Sequence, residues 1–223
     1  MGSVPLFSVI HSSLLADLGW VAHGFGTRWD NLSQDGMASL TQIHSAAVLV
    51  VDGAGGAGEG DALTTDRPGV SVSVRTADCY PILLADPRNR AVAAVHAGWR
   101  GTVARIVAET LGLMQAQFGT DAADIRAAIG PGIGFCCYQV GGEVARLFGL
   151  EQAGRIDLAE ENRRQLISAG VPAARIKTAG GCTQCDAQQF HSFRRDRERA
   201  GRMISFIRIE NIGIENPALK TRH

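Results

Sequence analysis

Cys79, His96 and His44 are the residues of this sequence whose types most favour chemistry. A thiol beside an imidazole acts in one of two ways: as a nucleophile with its base, or as part of a metal site. With His44 the set becomes two histidines and one cysteine, and zinc held by three protein ligands keeps a fourth position open. Each residue taken alone is more typical of a small buried thiol or a core histidine. The hypothesis therefore depends on whether the surrounding strands bring the three together.

A predicted hairpin brings Cys79 close to His96. Two apolar runs, 81–85 and 91–95, are joined by an Asp-Pro step and polar residues, which is typical turn chemistry. With the turn centred directly after that proline, Cys79 lies opposite His96; a centre half a residue later pairs Cys79 with Ala97. Directly opposed residues have Cβ atoms about 4.5–5.5 Å apart. We therefore predict that the thiol and the imidazole are neighbours at the open end of the hairpin.

His44 is the third candidate ligand because it directly precedes a strand-like run, 47–51. The other histidines lie in an unpatterned N-terminal stretch, near the C-terminal arginines or at the chain end: His11, His23, His191 and His223.

The segment 97–102, which follows His96, predicts an anion site. Gly98 and Arg100 stand where a strand ends and a helix begins, so free N–H groups and a guanidinium fork face the same space. The alternative is a tight turn with a solvated arginine. On the first interpretation both residues contact substrate.

Two further residues are predicted to serve the site. Gln42 stands two residues before His44, on the same face of a strand, and is a candidate substrate contact. Asp78 precedes Cys79 and is a candidate proton carrier or supporting partner of the ligand, with a surface turn as the alternative.

The remaining elements are predicted from periodicity. The run VSVSVR (70–75) alternates as a half-buried strand does, and further strands are expected at 125–129 and 203–209. The glycine-rich stretch 53–60 is interpreted as a mobile surface loop.

Two helices are predicted. One has apolar residues at helical spacing over 103–114, with Thr102 as its N-cap and Gly119 at its end. The other spans 158–169, capped by Asp157. Hairpins beside helices predict an α+β fold with a mixed sheet.

Composition excludes several classes of function. The 223 residues carry 22 basic and 22 acidic side chains, which removes the electrostatic argument for nucleic acid or a polybasic membrane anchor. No apolar run is long enough to span a bilayer, and the N-terminus lacks the pattern of a signal peptide. Five cysteines, an odd number, do not suggest a disulfide scaffold. We expect a cytoplasmic protein.

Several motifs, taken in order from residue 23 to residue 209, resemble the YfiH/YlmD laccase-domain family. They are TQIH (41–44), GDALTT (60–65), TADCYPILLADP (76–87), AVHAGWRG (94–101), AAIGPGIG (127–134), and RRD with GRM (194–196 and 201–203).

The resemblance implies a single α+β domain over 1–223, with mixed β-sheets flanked by helices of the CNF1/YfiH-like type. It implies one metal ion, usually zinc with copper as the alternative, held by His44, Cys79 and His96. It also implies phosphorolysis of adenosine, inosine and methylthioadenosine, and deamination of adenosine. Peptidoglycan editing and laccase-like oxidation are the family's other assigned roles.

The sequence departs from the family at Ser45 and Phe193, where relatives often have Gly and Tyr, and in the length of one segment. The segment 29–40, before the first ligand motif, is shorter than in relatives. Cys182 and Cys185 form a C-x-x-C pair, which suggests a second metal site or a redox pair. We interpret them as ordinary thiols, because the remaining cysteines, Cys136 and Cys137, are adjacent and neighbouring residues rarely ligate one ion together.

The prediction is a zinc-dependent purine nucleoside phosphorylase with adenosine deaminase activity, acting on small molecules (nucleoside and phosphate) as a monomer or homodimer. A metal-free cysteine hydrolase or deamidase, with Cys79 as nucleophile and His96 as base, remains open. Six histidines cannot furnish a multicopper cluster, although one copper could support weak polyphenol oxidation. A non-enzymatic partner-binding protein is disfavoured, since the one patterned polar cluster is rich in Cys, His and Arg.

Overall fold

The computed structural model describes residues 9–211. Residues 1–8 and 212–223 lie outside this range, and with them both ends of the predicted domain, His223 and much of the segment considered for a signal peptide.

The strands and helices, in chain order, have the following bounds. The strands are β1 (Val9–Ile10), β2 (Val21–Gly26), β3 (Ala38–Thr41), β4 (Val48–Val50), β5 (Gly55–Glu59), β6 (Ala62–Thr65), β7 (Ser71–Thr76), β8 (Tyr80–Asp86), β9 (Ala91–Ala97), β10 (Arg126–Ile129), β11 (Gln139–Val140), β12 (Gly154–Arg155), β13 (Ile176–Thr178) and β14 (Met203–Ile209). The α-helices are α1 (Ser13–Ala16), α2 (Trp99–Val103), α3 (Ile106–Phe118), α4 (Gly142–Leu147), α5 (Leu158–Ser168) and α6 (Phe193–Asp196). Short 3₁₀ turns occupy Ala122–Asp124, Ala173–Arg175 and Arg197–Arg199.

Two six-stranded mixed sheets form the framework. The first sheet has the order β1-β2-β14-β7-β3-β5, and the second has the order β13-β10-β8-β9-β6-β4. In the first sheet β14 pairs antiparallel with β2 and β7, whereas β3 pairs parallel with β5 and β7. The predicted α+β class with a mixed sheet is confirmed.

The central strands β8 and β9 of the second sheet are buried on both faces, because one face packs on helices and the other on the first sheet. In β9, Ala93 and Val95 belong to a core cluster with residues of α3 and α5, whereas Val92 and Ala94 belong to a cluster with residues of β2, β7 and β14. Full burial of an aliphatic side chain contributes about 1.5–3 kcal/mol. The β8–β9 hairpin is therefore held rigidly at the centre of the fold.

The alternating run in β7 is not half-buried as predicted. Ser71 and Ser73 are buried together with Val72 and Val74. The Ser73 hydroxyl donates to the Ala38 carbonyl at 2.9 Å, so its polar group is satisfied inside the protein. The alternation in the sequence correctly indicates that one face of β7 is polar, but in the folded protein that polar face is covered as well.

The glycine-rich stretch is a strand rather than a loop. Gly55–Glu59 forms β5, which pairs parallel with β3 at the edge of the first sheet. Pairing uses backbone groups, so the lack of side chains does not prevent it. The mobile-loop prediction is wrong for these residues.

The helix predicted to begin at Thr102 is interrupted. Thr102 lies buried inside α2, where its hydroxyl accepts from the Asn162 amide at 2.9 Å. Arg105 then adopts a left-handed conformation (φ 62°) and separates α2 from α3. The predicted end at Gly119 is confirmed. So is the cap of α5, where Asp157 accepts from the Glu160 N–H at 3.0 Å.

Candidate metal and anion site

The hairpin register differs from the predicted one. Tyr80 pairs with Ala97 and Pro81 pairs with His96, so Cys79 lies just before β8, beyond the last pair. Asp86 pairs with Ala91, so the connection between the strands is residues 87–90. The direct pairing of Cys79 with either predicted partner is therefore wrong.

Cys79 and His96 nevertheless lie close together, and His44 lies beside them. Ligand atoms of His44, Cys79 and His96 all lie within 4.8 Å of one another. The rings of His44 and His96 meet edge to face, with centroids 4.9 Å apart. On antiparallel strands, diagonal neighbours on one face remain within reach of side chains, so a shift of two residues keeps Cys79 near His96.

Gly98 gives the Cys79 sulfur its space. A Cβ atom at Gly98 would lie 2.9 Å from Cys79 Sγ and 3.3 Å from His44 Cδ2. Gly98 was predicted as a substrate contact, and that role stays a prediction. Its visible role is to let the thiol and the imidazole approach the backbone closely.

Asp61 organises the cluster, and the sequence reasoning missed it. Its carboxylate is fully buried and lies 2.8 Å from His96 Nδ1. It also accepts from the backbone N–H of His44 at 3.0 Å, and from both the N–H and the hydroxyl of Ser45 at 2.5 and 2.8 Å. With Nδ1 held by the carboxylate, Nε2 of His96 is left for a ligand, which is the arrangement typical of metal-binding histidines. The one available signal was the GDALTT motif.

The three groups perturb one another's protonation. Burial raises the pKa of Asp61, but hydrogen bonds from His96 and Ser45 outweigh it and lower the value to about 2. Burial lowers the pKa of His96, yet Asp61 and Cys79 raise it to about 9. Burial raises the pKa of Cys79, and hydrogen bonds from His44 and His96 bring it down to about 7. The thiol therefore loses its proton more readily than an ordinary cysteine.

Asp78 connects the site to two distant segments. Its carboxylate accepts from the Thr183 hydroxyl and from the Arg194 N–H, both at 2.6 Å. Its backbone is left-handed (φ 85°), a conformation that non-glycine residues seldom adopt away from functional sites. These contacts favour the supporting role over the proton-carrier role, and the assignment remains a prediction.

Gln42 does not share a strand face with His44, because β3 ends at Thr41 and His44 has a left-handed backbone (φ 59°). Its amide instead pairs with the backbone of Arg75, donating to the carbonyl and accepting from the N–H, each at 2.8 Å. Gln42 does line the cavity described next, so its predicted substrate contact remains open.

A cavity of about 970 Å³ opens in front of the cluster. The described residues that line it include five arginines, Arg75, Arg100, Arg194, Arg197 and Arg202, but one carboxylate, that of Asp78. The anion site predicted around Arg100 is thus surrounded by cations from other parts of the chain. Arg100 lies over the Trp99 ring, 4.3 Å from its centroid. α2 itself is a single short turn of five residues, so the guanidinium groups supply most of the positive field.

Comparison with known proteins identifies the family. Residues 26–210 match the model of the multi-copper polyphenol oxidoreductase laccase family. The chain belongs to this family. A protein of Deinococcus radiodurans named purine nucleoside phosphorylase is 44% identical over 184 residues, which cover 78% of this chain and 70% of that protein. One of Bacteroides thetaiotaomicron with the same name is 42% identical over 163 residues; the match spans 67% of this chain and only 60% of that relative.

A protein from an unknown prokaryotic organism, named adenosine deaminase, is 37% identical over 197 residues, covering 78% of this chain and 75% of that protein. Among solved structures, Bacillus licheniformis YfiH superposes with a TM-score of 0.84 at 27% identity, covering 92% of this chain and 98% of that one. Geobacillus stearothermophilus YlmD superposes with a TM-score of 0.81 at 28% identity, covering 89% and 94%. These relatives bear enzyme names, in agreement with the predicted class of protein. No helix within residues 9–211 is long and apolar enough to cross a membrane.

The candidate ligands suit a zinc ion. Zinc bound at about 2.0–2.3 Å in a tetrahedron holds neighbouring ligand atoms about 3.3–3.8 Å apart. The ligand atoms lie within 4.8 Å of one another, and the exposed His44 ring is free to rotate to the exact distance. The donor set of one readily ionised thiol and two imidazoles matches the preferences of zinc, and copper accepts the same donors.

Cys182 and Cys185, interpreted from the sequence as ordinary thiols rather than a second metal site or a redox pair, lie in a cluster of cysteines. Their Sγ atoms and those of Cys136 and Cys137 all lie within 4.8 Å of one another. The interpretation as ordinary thiols rested on adjacent cysteines being unable to share a site, and a turn at 135–137 removes that objection.

Proposed function

We propose that this protein is a zinc-dependent purine nucleoside phosphorylase with adenosine deaminase activity, acting on adenosine, inosine and methylthioadenosine. The observation that carries the proposal is the juxtaposition of the His44, Cys79 and His96 cluster with a large arginine-lined cavity. The names of the relatives support the same activities. A cytoplasmic location and a monomeric or homodimeric state remain predictions.

Phosphate would bind among the arginines. Arg100 has a planar guanidinium that donates two parallel hydrogen bonds to phosphate oxygens, and Arg75, Arg197 and Arg202 extend the positive field around it. Arg194 is fixed in place, since its guanidinium donates to the Gln139 carbonyl at 2.8 Å. Cations that are already fixed in place bind an anionic nucleophile without a further free-energy cost of reorganisation.

The purine would lie against aromatic rings. Trp99, Tyr138 and Phe193 line the cavity, and the Phe193 side chain is 38% exposed. Exposed aromatic rings bury a flat heterocycle favourably. Each ring has an arginine of the same cavity over it, Arg100 on Trp99, Arg194 on Tyr138 and Arg202 on Phe193, so the base and the phosphate would bind close together.

His44, Cys79 and His96 would hold the zinc ion, with Asp61 keeping His96 in the orientation that presents Nε2. When bound, zinc supplies Lewis acidity next to the substrate. The chain's contribution is to lower the pKa of the Cys79 thiol, so that it ionises more readily, and to fix the ligands through Asp61 and Gly98.

The experiment compares nucleoside cleavage and deamination in the presence and absence of phosphate, in the wild type and in Arg100→Ala. Phosphorolysis should fall about tenfold or more, because a charge-assisted contact contributes about 1.5 kcal/mol or more. Deamination consumes water, so it should fall much less. Arg100→Lys should recover part of the phosphorolysis, since it keeps the charge but loses the fork.

Arg67→Ala serves as the matched control, because Arg67 is an exposed arginine paired with Asp52 outside the cavity. An unchanged KM for phosphate in Arg100→Ala would contradict the proposed phosphate contact. Absence of both activities from the wild type, with zinc bound, would overturn the proposed function.

A metal-free cysteine hydrolase or deamidase is the second candidate, because a Cys79 thiol with a pKa lowered to about 7 beside His96 suits a nucleophile as well as a zinc ligand. A nucleophilic thiolate would react rapidly with iodoacetamide in the protein as purified, whereas a zinc-bound one is protected until the metal is removed. We expect protection, together with loss of zinc in Cys79→Ser and in His96→Ala. The same metal analysis distinguishes zinc from copper.

A further inference from the structure

Four cysteines form a second cluster from two segments far apart in sequence, the first of which also carries the cavity residues Ile133 and Tyr138. Cys136 and Cys137 follow β10, and Cys182 and Cys185 precede α6. Their Sγ atoms all lie within 4.8 Å of one another, with Cys185 Sγ 3.5 Å from that of Cys136 and 3.3 Å from that of Cys137. All five cysteines of the chain are free thiols.

From this geometry we infer a structural zinc site with four thiolate ligands, Cys136, Cys137, Cys182 and Cys185. Zinc–sulfur bonds of about 2.3 Å place the sulfurs of a tetrahedral site about 3.8 Å apart. Cys185 Sγ lies slightly closer than that to the sulfurs of Cys136 and Cys137, at 3.5 and 3.3 Å, and every pair of the four lies within 4.8 Å. The four sulfurs are close enough to bind one ion together, whereas a cluster of several metal ions would hold its cysteines farther apart. No fifth protein donor is needed, because structural zinc is closed at four ligands.

The backbone around Cys182 is shaped for a thiolate. The Gly134 N–H donates to Cys182 Sγ at 3.2 Å, and a hydrogen bond of this kind favours a charged sulfur acceptor. A Cβ at Gly134 would lie 3.1 Å from Cys182 Cβ and 3.2 Å from Cys136 Sγ, so glycine permits the sulfurs to converge. The spacing of Cys182 and Cys185 is the shortest of those typical of zinc-binding pairs.

Adjacent cysteines can share this ion because of the turn that carries them. The N–H groups of Cys137 and Tyr138 both donate to the Gly134 carbonyl, at 2.9 and 3.0 Å, which curls the backbone tightly. In such a curl both successive side chains reach toward the second segment, whereas in an extended strand they would point to opposite faces.

The ion would fasten the cavity wall. The first segment carries Ile133 and Tyr138, both of which line the cavity. The second carries Thr183, whose hydroxyl donates to Asp78, the residue before Cys79. Direct links between the segments are few, notably the Thr183 N–H to the Gly132 carbonyl at 3.0 Å. A zinc cross-link would therefore stabilise the position of the candidate active site without contacting substrate.

The test measures bound metal in the full chain, produced in medium containing both zinc and iron. The wild type should retain about two zinc ions per chain, and Cys182→Ser with Cys185→Ser should retain the one held at Cys79. Conversely, Cys79→Ser should retain the second ion. The double variant should also melt at least about 5 °C below the wild type. Phe135→Ser alters an exposed residue of the same turn and should keep both ions.

Cys185→His keeps the proposal testable if the serine variants fail to fold. Histidine is also a zinc ligand, so this variant should keep the second ion, whereas Cys185→Ser should lose it. Cobalt substitution gives a further readout, because a tetrathiolate site produces sulfur-to-cobalt charge-transfer bands stronger than those of a site with one thiolate.

Three outcomes would overturn the inference: no metal lost in the double variant, iron in place of zinc, or recovery of these cysteines as disulfides from protein purified under reductant. The inference is independent of the proposed function. A wild type whose single zinc leaves with Cys185→Ser but stays in Cys79→Ser would support this site and contradict the catalytic one.

Discussion

Replacing Asp61 with asparagine tests how the fold prepares its candidate metal ligands. The carboxylate accepts four hydrogen bonds, one from His96 and three from the backbone and side chain of residues 44–45. Asparagine has nearly the same shape but one accepting oxygen. If that oxygen stays with His96 Nδ1, the new amide NH₂ faces the N–H and hydroxyl of Ser45, which places donors against each other.

The expected magnitude follows from these contacts. Loss of a carboxylate partner behind a metal-binding histidine typically lowers metal affinity about 10- to 100-fold, equivalent to about 1.4–2.7 kcal/mol. An unsatisfied buried donor costs a further about 1–3 kcal/mol of folding stability. Asp61→Asn should therefore bind zinc more weakly and also unfold more easily, even without metal.

The assay is competition for zinc against a chromophoric chelator, combined with urea unfolding of the metal-free protein. Asp52→Asn is the control, because that carboxylate is exposed and forms a surface ion pair with Arg67. Zinc affinity within a factor of two of the wild type in Asp61→Asn would refute the view that this carboxylate orients His96.

Two further predictions concern packing and pH. Gly98→Ala should lower zinc affinity at least about tenfold, because its Cβ would lie 2.9 Å from the Cys79 sulfur. The control is Gly112→Ala, where the added Cβ has open space around it and should instead stabilise α3 by about 0.5–1 kcal/mol. Equal zinc affinity in the two variants would contradict the steric argument. Burial and nearby His11 lower the pKa of His23 from 6.5 to about 4, so the unfolded chain binds a proton that the folded one refuses as pH falls from 6.5 to 4. Over that pH range the free energy of unfolding of the wild type should fall by about 1–3 kcal/mol relative to that of His23→Gln. Glutamine is chosen because it keeps an acceptor for the Ser12 N–H. Parallel pH profiles of the two proteins in urea unfolding would rule out this contribution.

The elements that depend on local chemistry were predictable from the sequence. The cap of α5 at Asp157 and the end of α3 at Gly119 follow from side-chain and backbone preferences of single residues. The β8–β9 hairpin follows from two apolar runs around a turn. The closeness of Cys79 and His96 was predicted too, because proximity at the end of a hairpin survives an error of two residues in register. His44, which lies outside the hairpin, was predicted from its place before a strand-like run, by elimination of the other histidines, and from the family resemblance.

Features that depend on what lies opposite an element were decided by the tertiary structure. The alternation in the sequence predicts that Ser73 faces solvent. In the structure β7 is covered on that side, and the Ser73 hydroxyl donates to the Ala38 carbonyl of β3. The glycines of β5 have no side-chain pattern, and they form a strand because β3 offers an open edge.

The surroundings of the site were likewise set by long-range packing. Asp61 meets His96 across the β6–β9 pairing, and Arg194, Arg197 and Arg202 come to the cavity from the other end of the chain. The four-cysteine cluster joins segments that no sequence spacing connects. The sequence by itself determined the elements whose signals are local, such as α5 and the β8–β9 hairpin, and which residues carry reactive groups. The tertiary structure decided which of those groups meet, because burial and partner choice arise only when distant segments pack together.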